Sequence, residues 1–279
     1  MSFKEFLVFI DGSEDGVARF RLAMDVAKTN DAHLDAIVLN RLPGPPLGVG
    51  ADGMGLYKEE TQKSREQAVV ALEALAKVSA GAGQDVHVHV VECGADQAQA
   101  AAARLARTAD LVMLGKPEEL DDSDLDTDIF LGAVLEGGRP CLVFPRWINP
   151  HRWGRRALVW WKGTPESSRA VHGALPFLAQ AEEVRICVAN PRGEREGEDE
   201  RSLQRLGTYL MRHGAKVGDP VMRESWEGPE YMVASEVEGF NADLVVLGAY
   251  ENGRMREELF GGVTAKLVKD ATVPILLAH

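Results

Sequence analysis

Two stretches of this 279-residue chain carry residue types at spacings that could do chemistry. The first follows the apolar run Leu244–Leu247 and reads Gly248-Ala-Tyr-Glu-Asn-Gly253-Arg-Met-Arg-Glu-Glu-Leu-Phe-Gly261-Gly262-Val263-Thr264. Glycines behind a buried strand and ahead of a helix start let backbone N–H groups close on phosphate oxygens, with Thr264 adding a hydroxyl. Glycines also serve tight turns and close packing, so spacing alone leaves both roles open. The second stretch is acidic, with seven Asp and Glu between Glu118 and Asp128. Asp122, Asp124, Asp126 and Asp128 alternate like the start of a calcium loop. Thr127 stands where the turn glycine belongs, and Ala133 where the bidentate glutamate belongs. The calcium pattern therefore fails, and the stretch is expected to be a solvent-facing loop.

Other reactive residue types form no catalytic pattern. The seven histidines include no HExxH and no helical pair at metal spacing, although His87 and His89 alternate along a strand-like run. No metal site is expected. Ser13 and Ser167 lie at a helix cap and a first turn, outside the GxSxG context of a nucleophile elbow. Cys93, Cys141 and Cys187 are widely spaced without a CxxC pair, which fits buried thiols in a reducing compartment.

The elements that must hold these loops come from a duplication. Phe6–Glu14 recurs as Ala157–Glu166, Asp110–Gly115 as Asp243–Gly248, and Pro140–Phe144 as Pro274–Ala278. Each apolar run reads as a strand buried on both faces. Ser13 caps a helix whose inner face carries Val17, Phe20, Met24 and Ala27; Thr164, followed by Pro165, caps its counterpart. Further helices are expected at about 58–80, 95–108, 200–213, 229–240 and 256–270. Strands alternating with helices predict an α/β fold: two tandem domains, residues 1–147 and 153–279, each a parallel sheet with helices on both faces. The basic segment Arg146–Arg156 is the linker. Ligands in such folds bind beyond the carboxyl ends of the strands, which selects the loops beginning at Asp11 and Lys162, after Leu39 and Ala189, and at Gly115 and Gly248.

The segments DLVVLGAY and GRMREELFGGVTAKLVKDATVPILL resemble the C-terminal signature of the universal stress protein family, and FLVFIDGSEDG resembles its first strand and loop. Two copies over nearly the whole chain resemble the tandem form. The resemblance implies five strands per half and a pseudo-dimer in which the last strands of the halves pair. It also implies a role in general stress response, and in nucleotide-binding members a G-x2-G-x9-G-[ST] loop that holds phosphates. An acid after the first strand meets the nucleoside.

Carried over, the second half keeps Gly248 and Gly261 but has Glu251 for the second glycine, Gly262 for the hydroxyl, and Lys162 for the nucleoside acid. Its candidate nucleotide-binding residues are Gly248, Gly253, Gly261, Gly262, Val263 and Thr264, with Lys162, Gly163 and Ala189 at the nucleoside end. The first half keeps Asp11 and Gly115, yet reaches Gly132 four residues late through the acidic run. Asp11, Gly12, Leu39, Gly115 and Gly132 are its weaker candidates, because carboxylates repel a triphosphate in a partly desolvated cleft.

With 31 Lys+Arg against 43 Asp+Glu the formal charge is −12, which disfavours nucleic acid and anionic membrane surfaces. No run approaches the ~20 apolar residues of a membrane span, and the N-terminus lacks a signal-peptide pattern. The expectation is a cytoplasmic protein that binds ATP or another adenine nucleotide in one half, the second favoured, without a catalytic cycle. Slow nucleotide hydrolysis is the weakest reading, since no base or metal ligand is evident. The alternative is a nucleotide-free interaction scaffold that binds protein partners. Edge strands near Leu142–Phe144 and Ile275–Ala278 are expected to pair within the chain, with a homo-oligomer as the other way to cover them.

Overall fold

A computed structural model describes residues 3–45, 51–80, 83–118, 124–146, 153–189, 196–223, 228–249 and 263–279. The chain forms two compact units: Phe3–Gly115 with Asp121–Gly137, and Lys116–Leu120 with Gly138–His279.

The N-terminal unit alternates β1 (Glu5–Phe9), α1 (Glu14–Asn30), β2 (His33–Arg41), α2 (Ala51–Ser79), β3 (Val86–Cys93), α3 (Ala98–Ala106), β4 (Leu111–Gly115) and α4 (Leu125–Leu131). A π-helical turn, Gly132–Glu136, continues α4. Strand order is β3-β2-β1-β4, with every pair parallel. Helices cover both faces of this sheet, because neighbouring residues on a strand point opposite ways. Asn40 of β2 accepts from Ser64 of α2 at 2.7 Å, while the next residue, Arg41, pairs with Asp128 of α4 at 3.1 Å. Burial on both sides explains why β1 is apolar throughout Phe6–Phe9 rather than alternating. Ser13 caps α1 by accepting from the Gly16 N–H at 3.0 Å. Phe20, Met24 and Ala27 then fall on its buried face, and Val17 is half-buried. Fully buried side chains such as Phe20 and Phe130 each contribute roughly 1.5–3 kcal/mol by leaving water.

The carboxyl end of the acidic stretch departs from the expected solvent-facing loop. Glu118 is exposed and pairs with Arg146, and residues 119–123 lie outside the described residues. Asp124 precedes α4, and within that helix Thr127 and Asp128 are buried. Asp128 is drawn in by the Arg41 guanidinium, a partner far away in sequence that no local pattern reveals.

The C-terminal unit runs β5 (Cys141–Phe144), β6 (Arg156–Trp160), α5 (Pro165–Gln180), β7 (Glu183–Ala189), α6 (Glu196–Arg212), β8 (Val221–Arg223), α7 (Pro229–Phe240), β9 (Leu244–Gly248), α8 (Val263–Lys269) and β10 (Ile275–Ala278). Its strands lie in the order β5-β10-β9-β6-β7-β8. All pairs are parallel except β5 with β10, where Val143, Leu142 and Cys141 stand opposite Ile275, Leu276 and Leu277. The strands expected to seek partners at their edges thus pair with one another. Both are buried along their whole length, so each covers backbone groups the other would leave open. Thr164 caps α5 in a reciprocal capping box with Ser167, and Pro165 opens the helix. The short strand β8 completes the five strands of the second repeat, β6 to β10, at a place no apolar run marks.

Candidate functional site

In the N-terminal unit, Asp11, Leu39 and Gly115 come together at the carboxyl ends of β1, β2 and β4. They line a cavity of about 240 Å³ with Arg19, Asp124 and Asp126. Two features alter the expected chemistry. Asp11 is turned back onto α1: its Oδ1 accepts from the Ser13 N–H at 3.2 Å and from the Ser13 hydroxyl at 2.6 Å. It also lies over Gly16, where a Cβ would collide with the carboxylate. The second feature is Arg19. Its Nε donates to the Phe9 carbonyl at 3.1 Å, and its guanidinium rests against Gly115, filling the place a side chain would take there. Burial pulls the Arg19 guanidinium below its ordinary pKa, while Asp11, Asp126 and Asp15 pull the other way. A cation is therefore already seated at the strand end where the resemblance places the start of a phosphate loop, and carboxylates line the same cavity. Gly12 and Gly132 do not line this cavity. Gly12 faces Ala71 of α2, 3.0 Å from a hypothetical Cβ, and Gly132 abuts the Gln99 carbonyl of α3.

Sequence reasoning missed Arg19, and the signal was present. It lies three residues after Gly16 and four before Ala23, on the stripe of α1 that faces the sheet. An arginine on a buried stripe requires a partner.

In the C-terminal unit the register sets Trp160 beside Cys187 of β7 and Leu247 of β9. Lys162 and Gly163 just after β6, Ala189 at the end of β7 and Gly248 at the end of β9 are therefore gathered at the carboxyl ends of three adjacent strands. Lys162 is exposed, and Gly163 takes a positive φ of 70°. Gly248 is a packing requirement in its own right, since a Cβ there would lie 2.5 Å from the Ser167 amide nitrogen in the first turn of α5. Val263 opens α8, and Thr264 is buried in its first turn. Gly253, Gly261, Gly262 and Glu251 lie outside the described residues.

A second depression, about 330 Å³, opens beside Trp161 between α5 and α6, with His172, Ser202, Arg205 and Tyr209 on its walls. The Trp161 indole donates to Ser202 at 2.8 Å, so it is held at the mouth, whereas Trp160 is buried in the core. At the offset that aligns Asp11 with Lys162 and Ser13 with Thr164, Arg19 aligns with Ala170, which is fully buried. Among the described residues, α5 thus offers no guanidinium at the position of Arg19. Among the described residues no helix is long and apolar enough to cross a membrane.

The family model of the universal stress protein family matches the chain twice, over residues 2–136 and 155–279. No curated protein matches the chain in sequence. Among solved structures, a universal stress protein from Archaeoglobus fulgidus DSM 4304 is similar with a TM-score of 0.73 at 16% identity, covering 98% of this chain and 96% of that one. A putative universal stress protein from Pseudomonas aeruginosa UCBPP-PA14 gives a TM-score of 0.61 at 15% identity, over 99% and 93% of the two chains. A functionally unknown protein, PA1789 from P. aeruginosa PAO1, gives 0.60 at 15% identity, over 99% and 92%. At these identities the likeness concerns the fold, and the double family match carries membership: this chain belongs to the universal stress protein family, in tandem form.

Proposed function

We propose that the chain is a cytoplasmic stress-response protein that binds one adenine nucleotide, in the cleft of the second of its two repeats (1–147 and 153–279), without a catalytic cycle. In this reading Gly248, Gly253, Gly261, Gly262, Val263 and Thr264 form the phosphate loop and helix start. Lys162, Gly163 and Ala189 flank the nucleoside end. The observation that carries the choice of half is the difference between the two strand ends. The first holds a seated Arg19 among Asp11, Asp124 and Asp126, and the second has Ala170 and Lys162 at the matching positions. An entering nucleotide would meet Asp11, Asp124 and Asp126 in the first cleft, whereas the second has Lys162 in place of Asp11.

A second reading, the nucleotide-free scaffold, draws support from Gly248. Packing against α5 accounts for this glycine without any phosphate.

Calorimetric titration of the full chain with ATP and ADP separates the two. Binding that Gly261→Phe abolishes and Asp11→Ala leaves intact supports the nucleotide reading. Silence with both nucleotides supports the scaffold. Loss of binding in Asp11→Ala would place the nucleotide in the other half, and steady phosphate release would favour hydrolysis.

A further inference from the structure

We infer that Asp35, His87 and His89 form a binding site for a divalent transition-metal ion of the zinc type, on the β2–β3 edge of the N-terminal unit. His87 and His89 are two apart on β3, so both imidazoles stand on one face of the sheet. The register places Asp35 of β2 directly beside His87, on that same face. One ligand atom from each of the three residues lies within 4.8 Å of the others. Asp35 Oδ1 is 3.2 Å from His89 Nδ1 and 3.6 Å from His87 Nδ1. Two donors that share a tetrahedral ion, with bonds of about 2.0–2.1 Å, stand about 3.3 Å apart.

A simple ion pair does not account for the arrangement. Asp35 Oδ1 and His89 Nδ1 are screened from solvent, and neither has a hydrogen-bond partner among the described residues, although they are 3.2 Å apart. The oxygen therefore lies off the axis along which the ring N–H would donate. Two ligands converging on one ion adopt that offset, because each lone pair aims at the ion and not at the other ligand. Left as they are, two screened polar atoms face each other unsatisfied, which is costly. The two imidazoles stack at 4.6 Å beside this one carboxylate, so all three side chains face one small space.

Two nitrogens and one carboxylate oxygen suit zinc and its neighbours in the first transition row better than calcium or magnesium, which take oxygen shells. Three protein ligands leave the fourth position open, on the side where the His87 side chain is 66% exposed. The site sits in the first part of β2 and β3, away from Leu39 and the carboxyl-end cleft, so it is independent of the nucleotide reading. An ion there would tie the edge strand β3 to β2.

The test is a Zn²⁺ titration of the full chain, stripped with chelator and dialysed, in competition with a chromophoric indicator and without nucleotide. Co²⁺ serves as the spectroscopic probe of coordination. We expect one equivalent bound, a four-coordinate Co²⁺ spectrum, and affinity lowered at least about 10-fold by Asp35→Asn or by His89→Ala. His172→Ala, in the other unit, should bind as the unaltered chain does. Melting in chelator should be alike for all variants, so that lost binding is not lost folding. Absence of a tight equivalent in the unaltered chain, or undiminished binding in both Asp35→Asn and His89→Ala, would overturn the assignment.

Discussion

Gly115 and Gly248 occupy the same position in the two repeats, yet different neighbours forbid a side chain at each. At Gly115 the obstacle is the tip of the Arg19 side chain, which can swing aside. At Gly248 it is the backbone of Glu166 and Ser167, which cannot move without lifting the first turn of α5. Gly248→Ala should therefore destabilise the protein by ~1–3 kcal/mol in urea unfolding, and Gly115→Ala by clearly less. Equal losses would mean that the two glycines answer to the same constraint.

The cysteines give a second residue-scale prediction. All three are buried, and burial pushes the Cys187 thiol up to about 12 and raises Cys141 and Cys93 as well. The reactive thiolate is thus scarce at pH 8. Ellman's reagent should label essentially none in the native protein and all three after denaturation. Fast native labelling would place a thiol in an open environment.

At the scale of elements, the β5–β10 pair makes a quantitative claim. Leu142 and Leu276 stand opposite each other and are both fully buried. Each Leu→Ala change should cost ~2–5 kcal/mol. The double variant should lose less than the sum, by ~0.5–3 kcal/mol, because the residues share contacts. Strict additivity in a double-mutant cycle would show that the two strands contribute separately. Most elements were legible because their signals are local. Apolar runs mark buried strands, and Ser13 and Thr164 mark helix starts. The misses are long-range. Asp128 reads as one more solvated acid until Arg41 arrives from β2, and Arg19, though its spacing sets it on the inner stripe of α1, shows its partners only once α1 is laid on the sheet. His87 and His89 announce a shared face from their spacing, but Asp35 joins them only through the β2–β3 register. The three-residue strand β8 is too short to carry a period at all.

For the whole molecule, duplication and divergence pull in opposite directions. The repeated runs keep two sheets alike, while the loops at their carboxyl ends differ in charge: Asp11 and the acidic stretch in one repeat, Lys162 in place of Asp11 and a mixed-charge loop after Gly248 in the other. Identical clefts would bind two nucleotides per chain. On the proposed reading, divergent ones, with Arg19 already seated in the first, bind one. Native mass spectrometry of the full chain with excess ATP tests this most directly, because it counts bound nucleotides. The account predicts a single ATP adduct per chain, retained in Asp11→Ala and absent in Gly261→Phe. Two adducts, no adduct, or one that survives in Gly261→Phe would contradict it.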